Sequence, residues 1–193
     1  MDALTRNHID NLFIKDAGIR YESFKYLIDI SKEPVDWAYE IWDDLLKLSE
    51  EGDNHQRTIA VQLLANLAKS DPKERIVKDM GILMKVTRDE KFVTARHSLQ
   101  SLWKIAVAGK KQQHKITGLL ADRFQDCVKE KNCKLVRYDI VEVFRKIYDV
   151  VKDESVMKKA TGLIETEKDD KCRKKYAGLW KDLNAKNNAG KKR

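Results

Sequence analysis

Reactive groups do chemistry only at short range, and this chain sets few of them close together. Its four histidines, His8, His55, His97 and His114, are scattered, and none lies four residues from another. Two imidazoles at that spacing would share a helix face and could hold a metal; here neither a metal nor any other cofactor is expected. Cys127 and Cys133 stand with five residues between them and no second Cys/His pair at zinc spacing. They are expected to be two ordinary buried or half-buried thiols. Cys172 precedes Arg173, and nothing nearby in sequence forms a nucleophile–base pair with it. Asp43-Asp44 and Asp153-Glu154 are adjacent carboxylates, but neighbours in sequence do not face each other on a helix, so they make no acid/base dyad. No G-x-x-x-x-G-K-[ST] or G-x-G-x-x-G phosphate cradle and no H-E-x-x-H occurs. No catalytic residue is assigned, and the expectation is a protein that is not an enzyme.

What remains is charge and shape. The 193 residues carry 36% charged side chains and a net charge of +8. Residues 1–70 hold 8 basic and 13 acidic residues, a net of −5, and the remainder holds 31 and 18, a net of +13. The front is acidic and the back basic, which points to an anionic partner, nucleic acid included, or to wetted helix faces. So much charge suits an elongated molecule. Eight glycines, two prolines and three unevenly placed cysteines argue against tight-turn, Pro-rich and disulfide-framework architectures. The odd cysteine count fits a reducing compartment, and neither an apolar signal core nor a membrane-length apolar run occurs. A cytoplasmic location is expected.

The elements that would carry a binding surface come from a repeat. Arg20, Arg57, Arg96, Arg137 and Arg173 are separated by 37, 39, 41 and 36 residues. Seven residues after each stand Leu27, Leu64, Trp103, Phe144 and Trp180, and six after stand Tyr26, Leu63, Leu102, Val143 and Leu179. Offsets of three, six, seven and ten fall on one side of a 3.6-residue helix, so each arginine opens an amphipathic helix in the same register. Trp103 and Trp180 are thereby assigned to the core. Asp16, Asp53-Asn54, Asp89, Asn132 and Asp169-Asp170 precede the arginines as N-cap candidates. The arginines are expected to form a ladder of ion pairs. Between these helices run a second set of stripes: Val35, Ala38, Ile41, Trp42, Leu45 and Leu48, starting near Pro34; Ile76, Met80, Leu83 and Met84; Ile116, Leu119, Leu120, Phe124 and Cys127; and Val156, Ala160, Leu163 and Ile164. A weaker one, Leu4, Ile9, Leu12 and Phe13, opens the chain. Asp71-Pro72-Lys73-Glu74 reads as N-cap, proline at the first helical position and glutamate at the third. No alternating segment predicts a strand.

The period of 36 to 41, two helices per unit and the Asp…Arg opening of the second helix resemble HEAT repeats over residues 3 to 184. The resemblance implies an all-α, right-handed alpha-alpha superhelix of about five HEAT-like hairpins, with units near 3–32, 34–69, 71–109, 111–152 and 154–184 forming one domain of 1–184, and a basic C-terminal tail, 185–193. It also implies that the second helices line a concave side. On those helices the residues opposite the core stripe include His97, Lys104, Tyr138, Arg145, Lys174 and Lys181, a basic row interleaved with aromatics. The expected function is a non-enzymatic scaffold presenting this row to a protein or acidic peptide. The alternative is a nucleic-acid-binding module related to the HEAT-like DNA alkylation repair glycosylases. Those carry an aromatic residue with an Asp one turn later. Four residues after Trp37, Trp42, Trp103 and Trp180 come Ile41, Leu46, Val107 and Asn184, none acidic, and Tyr138 with Glu142 matches in spacing alone.

Overall fold

The computed structural model describes residues 1–182. The expected boundary at 184, Leu183 and the 185–193 tail lie outside these residues. The described residues are all-α, with eleven helices and no strand. In order they are α1 (Ala3–Asp10), α2 (Ala17–Ile30), α3 (Trp42–Glu51), α4 (Asn54–Leu67), α5 (Arg75–Val86), α6 (Phe92–Ser101), α7 (Trp103–Ala106), α8 (Lys110–Asp126), α9 (Cys133–Val151), α10 (Glu154–Glu165) and α11 (Asp170–Gly178). The chain divides into two compact units, Met1–Ile116 and Thr117 onward, with the division inside α8.

In the first unit consecutive helices pair as hairpins, α1 with α2, α3 with α4, and α5 with α6. Second helices pack on second helices, α2 on α4 and α4 on α6, and α3 packs on α5. This arrangement follows from the stripes. A helix whose apolar residues cover one side cannot bury them alone, so each hairpin closes on the next. Leu27, Trp42, Leu45, Leu64, Met80 and Leu83 are all but fully buried. Each such side chain contributes about 1.5–3 kcal/mol by leaving water. In the second unit α9 packs on both α10 and α11, around Phe144, Ile147, Ala160 and Trp180.

The arginine ladder is built from acids that do two things at once. Asp53 accepts the His55 and Gln56 N–H groups, capping α4, and also accepts Arg20 Nη1 at 2.6 Å. Asp89 accepts the Lys91 N–H and a two-pronged contact from Arg57, at 2.6 and 3.0 Å. In the second unit Glu167 accepts the Asp169 N–H and Arg137 Nη1 at 2.8 Å. In every case the acid caps the backbone two residues ahead and holds an arginine 30 to 33 residues behind. Each arginine therefore locks its hairpin to the following one. Arg57 and Arg137 also donate to the carbonyls of Gly52 and Phe124, ends of helical segments that have no intrahelical partner.

Four local expectations are corrected. The segment 71–74 is a tight turn, with the Glu74 N–H on the Asp71 carbonyl, and Glu74 sits in the left-handed region at φ 52°. Helix α5 therefore starts at Arg75, not beside Pro72. The buried Asp71 carboxylate reaches past the turn to the Ile76 N–H (2.7 Å) and accepts the Tyr39 hydroxyl. Asp71→Ala removes a cap and orphans a phenol, and is expected to cost about 2 kcal/mol in urea unfolding; Asp71→Asn, which keeps an acceptor, is expected to cost less.

Helix α3 begins at Trp42 rather than near Pro34, after a 3-10 turn at Ala38–Glu40, and Val35 is only half-buried. Cys127 and Cys133 are joined as a disulfide, not left as two thiols. The 3-10 turn at Cys127–Lys129 folds the chain back so that their Cα atoms are 5.1 Å apart. The argument for a reducing compartment from the cysteines thereby loses its premise.

Trp103 is the fourth. The helix after Arg96 breaks at Leu102, where the Leu102 N–H bonds Leu99 O and the Ile105 N–H bonds Leu102 O, each three residues back. At three residues per turn the buried line runs Leu99, Leu102, Ile105, and the residue after Leu102 is turned about 120° away from it. Trp103 leaves the core column that Leu27, Leu64, Phe144 and Trp180 keep, and stands half-exposed.

Candidate functional site

The displaced tryptophan opens onto a groove of about 360 Å³ in the first unit. Three successive second-helix segments supply its lining. From α2 come Tyr21 and Phe24, and from α4 comes Gln62. From α6 and α7 come His97, Gln100, Ser101, Trp103 and Lys104. Helix α4 lies between the other two because it packs on both. It places small or buried residues, Thr58 and Ala65, on the side that faces away from its stripe. Ser98 and Thr58 join α6 to α4 through their hydroxyls at 3.2 Å. The walls are therefore held by the same packing that holds the repeat.

The lining contains three aromatic rings and several hydrogen-bonding groups but no carboxylate. The Lys104 amine is half-buried and, among the described residues, is engaged in no hydrogen bond or ion pair. Burial, helped by the positive charge of Lys69, holds it below the ordinary lysine value of 10.5. Lys69 is exposed and donates to the Lys32 carbonyl. Ser101 donates to the Ser98 carbonyl at 2.7 Å. No group of three or more His, Cys, Asp or Glu that could hold a metal occurs among the described residues, and no described helix is long and apolar enough to cross a membrane.

The six residues predicted as one row divide between the units. His97 and Lys104 are in the first and line its groove. Tyr138, Arg145, Lys174 and Lys181 are in the second. Tyr138 is half-buried on α9, its ring 6.3 Å from that of Tyr176 and under the Lys175 amine at 4.6 Å. Lys174 and Lys181 are exposed. Arg145 is committed internally. It donates to Asp149 at 2.9 Å, to both oxygens of Asp182 and to the Leu179 carbonyl, and lies over the Trp180 ring at 5.7 Å. The Asp182 hydrogen bond keeps its guanidinium charged well past the usual arginine range. It ties α9 to the segment that follows α11.

No protein-family model and no curated protein matches this chain. Among solved structures it is similar to a designed armadillo repeat protein in complex with the peptide (KR)4, at 15% identity over 92% of this chain and 88% of that one, with a TM-score of 0.47. The fold is an all-α helical repeat.

Sequence reasoning did not assign Tyr21, Gln62 and Ser101 to the site, although they stand one or five residues after their arginines, on the side opposite the core stripe, and it missed Phe24, Gln100 and Trp103. Phe24 and Gln100 stand four residues after their arginines, about 40° around the helix, within reach of the same face. A wider angular window would have found them. Trp103 had no such signal, because the break at Leu102 cannot be seen in the spacing.

Proposed function

We propose that the chain is a non-enzymatic, HEAT-like binding scaffold whose first unit seats an extended protein or peptide segment in the groove over α4. The observation that carries this reading is the convergence of aromatic and polar side chains from three successive repeats on one concave pocket. Aromatic side chains on a rigid wall give large contact area at little entropic cost, and backbone-compatible donors and acceptors between them suit a chain laid across the helices. The second unit carries exposed cations of its own, Lys174 and Lys181, and Lys175 over the Tyr138 ring.

The reading is tested by selecting random displayed peptides on the wild-type chain and measuring each against Tyr21→Ala and Trp103→Ala. Selected peptides are expected to lose about 2 kcal/mol of binding free energy on the Trp103 variant, with helical circular dichroism unchanged. Peptides that bind wild type and both variants alike would overturn it. So would binding to generic duplex DNA that fades steeply with salt while no peptide is selected, since phosphate neutralisation then accounts for the surface.

A further inference from the structure

The ion pairs of the first unit leave Lys104 out. Arg20, Arg57 and Arg75 face carboxylates, and Lys111 meets Glu74 at 2.6 Å. Lys104 has lost part of its hydration to burial and has received nothing in exchange. The titratable groups around it are His97 on its own hairpin, Tyr21 on α2 and Lys69 beyond α4, and none of them is an acid. A cation in that position raises the energy of the empty groove, and an anion offsets that cost more strongly than a neutral acceptor does.

The chemistry of that anion follows from the count of charges. One unmatched cation is half-buried; the nearby second, Lys69, is exposed, keeps its water and already donates to Lys32 O. A single negative charge neutralises the site, and a doubly charged group would carry excess charge into it. We infer that the occupant of the groove is an acidic segment of another polypeptide, anchored by an aspartate or glutamate carboxylate on the Lys104 amine with its flanking side chains against Trp103 and Tyr21. In an extended segment every second side chain points to the same side, so one acid at Lys104 leaves its neighbours but one aligned along the same walls. This inference rests on the groove reading above and adds the class of partner to it.

Anchoring has a signature that simple groove filling lacks. In the empty groove the amine loses its proton more readily than an ordinary lysine, and a bound carboxylate raises its proton affinity again. Acidic ligand therefore binds fully at neutral pH, where the amine is charged, and progressively less as the pH climbs through the depressed value toward and beyond 10.5, the interval in which binding takes up a proton.

The probes are a fluorescein-labelled peptide alternating glutamate with threonine, its glutamine twin and its phosphothreonine twin. On the full chain at neutral pH and low salt, the glutamate peptide is expected to bind at least about tenfold tighter than the glutamine twin. Lys104→Met is expected to erase that preference, and Lys104→Arg, which keeps the charge, to retain much of it. Affinity for the glutamate peptide should fall with rising pH while that for the glutamine twin does not. Equal binding of the two twins, absence of binding by either, or a preference that survives in Lys104→Met overturns the anchor. A phosphothreonine peptide bound more than about tenfold tighter than the glutamate one assigns the site to a dianion and overturns the carboxylate. Display-selected peptides that depend on Trp103 but show no acid bias would leave the groove reading standing with the anchor removed.

Discussion

Replacing Arg57 with alanine is expected to destabilise the first unit by about 3 kcal/mol or more, the cost of leaving a carboxylate buried without its partner. The Asp89 side chain is 5% exposed and the Arg57 side chain 22%, so the pair is shielded from solvent. The mutation also frees the Gly52 carbonyl that Arg57 satisfies. Because Asp89 keeps only the Lys91 N–H, the double variant Arg57→Ala/Asp89→Ala should cost clearly less than the two single losses added together, the non-additivity of groups in direct contact. The effect is linked to pH in a defined direction. Burial pushes the Asp89 carboxyl up, but the Arg57 hydrogen bonds outweigh it and hold the group below 3.8. A depressed acid stabilises the fold fully above its unfolded value and loses that contribution as the pH falls through the folded one. The penalty of Arg57→Ala, read from urea midpoints, should therefore shrink as the pH drops below 3.8. A penalty near zero at neutral pH would reduce the ladder to surface pairs of little worth.

The second large effect separates two tryptophans that occupy the same place in the repeat. Trp180 is 1% exposed, its ring 5.7 Å from that of Tyr148 and covered by Arg145. Trp180→Ala should cost about 3–5 kcal/mol, the range for truncating a large buried aromatic, and should loosen Arg145 from its place between α9 and α11. Trp103→Ala removes a half-exposed ring at a groove wall and should cost about 1 kcal/mol of stability or less while removing most of the peptide affinity. Denaturant unfolding and peptide binding on the two variants together check this. Comparable stability losses would return Trp103 to the core and remove the groove's best wall.

The repeat was readable because its arginines recur at near-constant spacing and the stripe behind each is a simple consequence of 3.6-residue geometry. Leu27, Leu64, Phe144 and Trp180 are buried in the column that this spacing defines. Asp53 and Asp169 cap the helices whose starts they mark. The failures share a different cause. Asp71-Pro72, the break at Leu102 and the fold-back that joins Cys127 to Cys133 all turn on local chain geometry between helices, which periodicity does not encode. The same limit governs the site. His97 and Lys104 could be placed on the right face, but the Trp103 ring that completes the pocket required the tight turn after Leu99. Arg145 was placed on its helix without its partners, although Asp149 stands at the i,i+4 spacing that pairs charges along one helix face; Asp182, 37 residues on, needed the packing to bring it near.

The double duty of Asp53, Asp89 and Glu167 makes the loops poor places to dissect this molecule. A cut after Gly52 strands the Arg20 guanidinium, and a cut before Asp89 strands that of Arg57, because each seam's acid belongs to the piece downstream and its base to the piece upstream. Excised single hairpins should therefore be soluble peptides without a fixed structure. Fragments meant to fold must keep the acid of the next repeat, even when they discard everything beyond it.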